Sequence, residues 1–202
     1  MCSIFFSSPR VHLERQRTAF DRGKMSGPAN RQQPALLLAL TTPEQPSAFP
    51  TVLLGVTNTS KNKPYTILSW SSPLDPLALQ LGLLSLAVSS SGNRIQTNAI
   101  MLKRHTPPTD DAYVTIEPGA TKQQEVLIRE PSVDVESLAG KTVRVSWLGS
   151  DRPIAVWEAR KEDLSGGDLG SWEGWSNAPL QWDPSTTEPT EVELVVADKP
   201  GG

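Results

Sequence analysis

Prolines and glycines interrupt this chain so often that they leave no room for long helices. Eighteen prolines and 14 glycines fall among its 202 residues. A proline inside a helix removes a hydrogen bond and clashes with the preceding turn, and a helical glycine loses backbone entropy. Between the interruptions lie short segments in which apolar and polar residues alternate, the period of a strand with one buried face. Residues 142–148 show it most clearly: Val143, Val145 and Trp147 fall on one side, Arg144 and Ser146 on the other.

The same period recurs along the chain. Residues 35–40 form an apolar run between Pro34 and Pro43, and Val52, Leu54 and Val56 share one face of the next segment. Further strands are expected over residues 65–70, 84–88, 99–104, 113–116, 126–128 and 154–157. Turn residues separate them, among them Ser60 to Pro64, Ser90 to Asn93, Pro118-Gly119 and Gly149 to Pro153. Short strands with turns roughly every ten residues, and no helical crossovers, predict an all-β fold, an antiparallel immunoglobulin-like β-sandwich. Three regions follow: a disordered N-terminal tail over 1–33, the β-sandwich domain over 34–159, and a Gly/Pro/Trp-rich C-terminal extension over 160–202. Within the extension, Val192, Leu194 and Val196 predict a strand over 191–197 that returns to the sheet.

Charge narrows the function classes. The net charge is −3 with both signs interspersed, so no concentrated field points to nucleic acid or to an anionic membrane. The single cysteine, Cys2, excludes an intramolecular disulfide. Ile4, Phe5 and Phe6 make only a brief apolar run before Arg10, Arg15 and Arg17, too short for a secretory signal, and a start at Met25 would bring none either. No apolar stretch approaches the roughly 20 residues that span a bilayer; the richest window, 77–88, is broken by Gln80, Gly82 and Ser85. The expected location is the cytoplasm.

The middle of the chain resembles a known family. Val56-Thr57-Asn58-Thr59-Ser60 leads through Thr66-Ile67-Leu68 to Pro73-Leu74-Asp75. Later come Val114-Thr115-Ile116-Glu117-Pro118-Gly119-Ala120-Thr121 and Val126-Leu127-Ile128. This order is similar to the pro-region of deuterolysin-type fungal zinc endopeptidases, over roughly residues 35–150. The resemblance implies a sandwich scaffold that precedes a secreted zinc protease. Here the protease signature His-Glu-x-x-His is missing, and the two histidines, His12 and His105, lie far apart. Lys103-Arg104 matches a dibasic processing site, but it falls inside an expected strand.

Candidate chemistry is sparse. His105 with Asp110 and Asp111 reads as a solvated loop, since a zinc site needs three or four converging ligands. No catalytic residue, cofactor or metal is expected. Asn58-Thr59-Ser60 is a glycosylation sequon, expected to stay unmodified in a cytoplasmic chain. Six tryptophans remain. Trp70, Trp147 and Trp157 lie in strand-like segments and suit core packing. Trp172, Trp175 and Trp182 lie in the Gly/Pro-rich extension, where they either cover one sheet or form an aromatic platform for a partner protein. The expected function is therefore a non-catalytic protein-binding module related to protease pro-regions. The alternatives are a secreted metalloprotease inhibitor or effector, and an enzyme without recognisable motif.

Overall fold

The computed structural model describes residues 33–45, 47, 49–149, 154–164, 180–184 and 191–197. They belong to one compact unit. Eleven strands occur among them: β1 Leu36–Thr41, β2 Thr51–Asn58, β3 Tyr65–Leu68, β4 Leu84–Val88, β5 Arg94–Ile95, β6 Tyr113–Ile116, β7 Thr121–Leu127, β8 Thr142–Trp147, β9 Ile154–Trp157, β10 Leu180–Trp182 and β11 Glu191–Val195. Every pairing is antiparallel. The ladders form three sheets, in the orders β1-β2-β7, β10-β9-β3-β6 and β11-β8-β4-β5.

Alternation decides which face of each strand turns inward. In β1 the leucines 36, 38 and 40 are buried while Leu37, Ala39 and Thr41 are exposed. In β8, Val143, Val145 and Trp147 point into the core, as their spacing predicts. A single apolar core joins all three sheets, from Val52, Leu54 and Val56 through Ile67 to Leu86 and Val145. A smaller cluster of Leu68, Ala112, Tyr113 and Trp157 closes one flank, with the Tyr113 and Trp157 rings edge to face at 5.7 Å. The apolar window 77–88 supplies Leu79, Leu83, Leu84 and Leu86 to the main core. Its first half is a run of turns, so its apolar density serves packing.

The sandwich takes two of its strands from beyond residue 159: β11 is the returning strand expected over 191–197, and β10 is the first departure. Trp182 of β10 faces Ile154 of β9, and β11 runs along β8 from Glu191↔Ser146 to Val195↔Thr142. A second departure concerns residues 99–104, where a strand is expected and none forms. β5 stops after two residues because the chain is drawn off the sheet. Asn98 donates its backbone N–H to Ser132 and its side-chain amide to the Pro131 carbonyl, at 2.8 and 2.6 Å.

One polar side chain ties two of the sheets together. Asn58 ends β2 with its side chain fully buried. Its Nδ2 donates to the carbonyls of Lys63 and Ile116 at 2.8 and 2.9 Å, and its Oδ1 accepts the Ser60 N–H at 2.9 Å. Its backbone bonds Gly119 and Ala120, where Gly119 adopts a φ of 73° that suits glycine. The turn after β2 and the turn after β6 are thereby clamped from one residue. Asn58→Ala removes the bond to the buried Ile116 carbonyl and two part-buried bonds to Lys63 and Ser60. It should cost about 2–3 kcal/mol, read as a lower urea midpoint with an unchanged slope; a loss under about 0.5 kcal/mol would show the clamp to be dispensable.

Candidate interaction surface

The expected aromatic platform does not stand as a trio. Trp172 and Trp175 lie outside the described residues. Trp182 is 1% exposed and packs within the main core, so it is a structural residue and presents nothing to a partner. In β10 the alternation of half-buried Leu180 and Gln181 with buried Trp182 turns the indole inward against β9. The strand tryptophans Trp147 and Trp157 are also buried.

The histidine–aspartate loop has been drawn into other pairings. Asp110 bonds the Lys161 ammonium at 2.8 Å, which raises the lysine's pKa. The Thr109 hydroxyl beside Asp111 lowers that carboxyl's pKa. His105 is exposed. Glu117 is gripped by both arms of Arg160 at 2.7 and 3.0 Å, which holds its carboxyl below the usual range. No group of three or more His, Cys, Asp or Glu residues gathers among the described residues in a way that could hold a metal ion.

The surface feature that stands out is the segment after β5. Ile100 and Leu102 are 45% and 42% exposed, and Met101 between them is wholly exposed. Ala99 and Lys103 on either side are exposed as well. Single exposed apolar residues such as Leu37 or Leu148 are ordinary on a folded protein. A run of consecutive ones is a fault unless it has a use.

This strip is held at both ends. On its N-terminal side the Asn98 bonds to residues 131 and 132 are followed by one from the Ile100 N–H to the Gln80 carbonyl, at 2.9 Å. On its C-terminal side Arg104 reaches into the fold. Its guanidinium bonds the carboxylate of Asp75, which is 0% exposed, and lies over the Trp70 ring at 5.2 Å. Asp75 also accepts the N–H groups of Ser71 and Leu77, at 2.7 and 3.0 Å. Ser71 is the non-glycine residue with positive φ among those described, at 55°, and its bond to Asp75 holds the chain in that sharp reversal.

The strip's own stretch of chain carries charge of one sign. From Arg94 to Thr109 there is no aspartate or glutamate, although the whole chain carries 22 of them. Arg94, Lys103 and His105 are exposed along this stretch, while Arg104 is engaged with Asp75. Along the chain, the apolar tip lies between Arg94 and Lys103. Sequence reasoning passed over it because Ile100 and Leu102 carry the same period as a strand, and only the missing neighbour strand distinguishes the two.

The β7 edge makes a poorer contact surface. Thr121, Lys122, Gln123 and Glu125 leave edge strand β7 polar and exposed along most of its length. Charges of this kind on an edge discourage pairing with another chain.

Residues 37–193 match the immunoglobulin-like domain family, and the chain belongs to it. The chain is also similar to an uncharacterized secreted protein of Arthroderma benhamiae, 33% identical over 109 residues that make up 54% of this chain and 54% of that protein. The chain spans about half the length of that relative. That relative is a secreted protein, and this overturns the expectation of a cytoplasmic chain. In the folded chain the sequon's Asn58 Nδ2 is buried and bonded to two carbonyls.

Trp182 and Met101 separate structure from surface. Trp182→Ala should cost about 3–5 kcal/mol and Met101→Ala under about 0.5 kcal/mol. Denaturant titration of the two variants checks the contrast, and equal losses would mean the assignment is reversed.

Proposed function

We propose that this immunoglobulin-like domain is a secreted, non-catalytic interaction module that docks through Ile100, Met101 and Leu102. Its partner is a protein with an apolar pocket rimmed by carboxylates. The observation that carries the reading is the run of exposed apolar side chains on a segment braced at both ends. Bracing matters because a segment already held in place loses less conformational entropy on binding. The acidic rim follows from the carboxylate-free stretch between Arg94 and Thr109, since complementary charge steers encounter and fixes register. Secretion rests on the Arthroderma relative.

The likeness to deuterolysin-type pro-regions enters here as a proposal of shared scaffold. It is supported by what two of its matching residues do: Asn58 clamps the turns after β2 and β6, and Asp75 organises the reversal after β3. A role as inhibitor of a secreted metalloprotease is the second reading, and it rests on that likeness alone.

The docking reading is tested with a photo-crosslinking residue at position 101 and, as control, at exposed Lys122 of β7. Each protein is incubated with culture fluid of the native organism. The expected result is a discrete protein adduct at 101 that is absent at 122, weakens in about 0.5 M salt, and is lost in a Leu102→Asp variant of the 101 protein. The same adducts at both positions, or none at 101, would overturn the reading; a zinc protease as the adduct would favour the second one.

A further inference from the structure

Lys103 and Arg104 are adjacent, yet the fold treats them in opposite ways. Lys103 is exposed, and between residues 101 and 108 no backbone hydrogen bond joins the segment to another described residue. Endoproteases bind their substrates as extended chain and must pull several residues clear of the fold, so unpaired backbone is the first requirement of a cut. Arg104 is the reverse. Its side chain is 22% exposed and is committed to Asp75 and the Trp70 ring.

Other cations of the described chain are less suited. Lys61 sits in the tight turn that the Ser60 hydroxyl closes onto Lys63, Arg94 lies in the β4–β5 ladder, and the Lys161 carbonyl accepts the Leu164 N–H. Lys122 and Arg144 lie within ladders. Lys63 precedes Pro64 and pairs with Glu158 at 2.7 Å. Arg129, Lys141 and Arg160 take part in turn hydrogen bonds through their own backbone.

We propose that the strip is a proteolytic processing site, cut at the Lys103–Arg104 bond by an endoprotease that takes a single lysine, and that the Asp75 pairing shields the neighbouring Arg104–His105 bond. Cleavage after Lys103 is recognised through a side chain that is already free, so the protease does not need the Arg104 guanidinium as its specificity group. Cleavage after Arg104 requires that guanidinium to leave the buried carboxylate. The step is hydrolysis: water adds across the amide, Lys103 gains a carboxylate, Arg104 gains an ammonium, and the protease is regenerated.

The product remains one particle. Strands β1–β5 precede the cut and β6–β11 follow it, and the pairings β2–β7, β3–β6 and β4–β8 cross between the halves. The proposal stands apart from the docking reading, because it uses the accessibility of the backbone and not the apolar side chains.

The test is limited digestion with trypsin, which accepts lysine and arginine alike, followed by mass spectrometry of the wild type and of Lys103→Gln. A synthetic peptide of residues 97–109 reports the intrinsic rates at the two bonds. In the folded protein the first cut within residues 33–149 should fall after Lys103, and both fragments should co-elute on native size exclusion. Lys103→Gln, a change of an exposed side chain, should slow cutting in this segment by at least about tenfold, because the remaining bond opens only when Arg104 is released. A first cut elsewhere in 33–149, or fragments that separate, would overturn the processing site. Cutting after Arg104 in Lys103→Gln at the peptide's relative rate would overturn the shielding.

Discussion

A buried carboxylate cannot stand alone, and the course of the chain after β5 follows from that constraint. Asp75 is fully enclosed and uses its oxygens to hold the Ser71 and Leu77 amides in the reversal after β3. Two neutral donors do not offset the loss of hydration of a full charge, and an opposite charge is needed nearby. Arg104 supplies it from 29 residues downstream, with Trp70 stacked beneath the guanidinium. The chain between β5 and Arg104 therefore cannot continue along the sheet. It bridges the outside of the fold, and its apolar residues stay in water.

The strip is an exposed addition to the sandwich. The core is complete without the strip: the large side chains of β2, β4 and β8 interdigitate with those of β3 and with Trp182 and Leu194 from the last two strands. Ile100, Met101 and Leu102 contribute no side chain to that core, whereas Asp75 and Asn58 are fully buried.

The sandwich itself was largely legible, because alternation is a local property. Val143, Val145 and Trp147 declare their buried face within a single strand, and so do Leu36, Leu38 and Leu40. Trp182 was not legible in this way. Its strand is three residues long and sits among glycines and prolines, so its period is too short to read. Residues 99–104 failed for the opposite reason: the period was present, and the partner strand was not. The Asp75–Arg104 pair lay beyond sequence reasoning altogether, since nothing in either residue's neighbourhood names the other. The immunoglobulin-like family match agrees with the part that alternation revealed, and the contact strip belongs to the part that it did not.

The clamp at Asn58 has a consequence for how such a chain matures. Oligosaccharide transfer acts on an unfolded or newly emerging chain and attaches sugar to the amide nitrogen of a sequon asparagine. In the folded protein that nitrogen gives both of its hydrogens to the Lys63 and Ile116 carbonyls. A glycan would remove one of these donors and place a saccharide where the two turns meet. Folding and glycosylation at this residue are therefore competing fates, decided by whichever reaches the nitrogen first. A chain that closes its β2 and β6 turns quickly escapes the sugar, and a chain that receives the sugar has lost the means to close them.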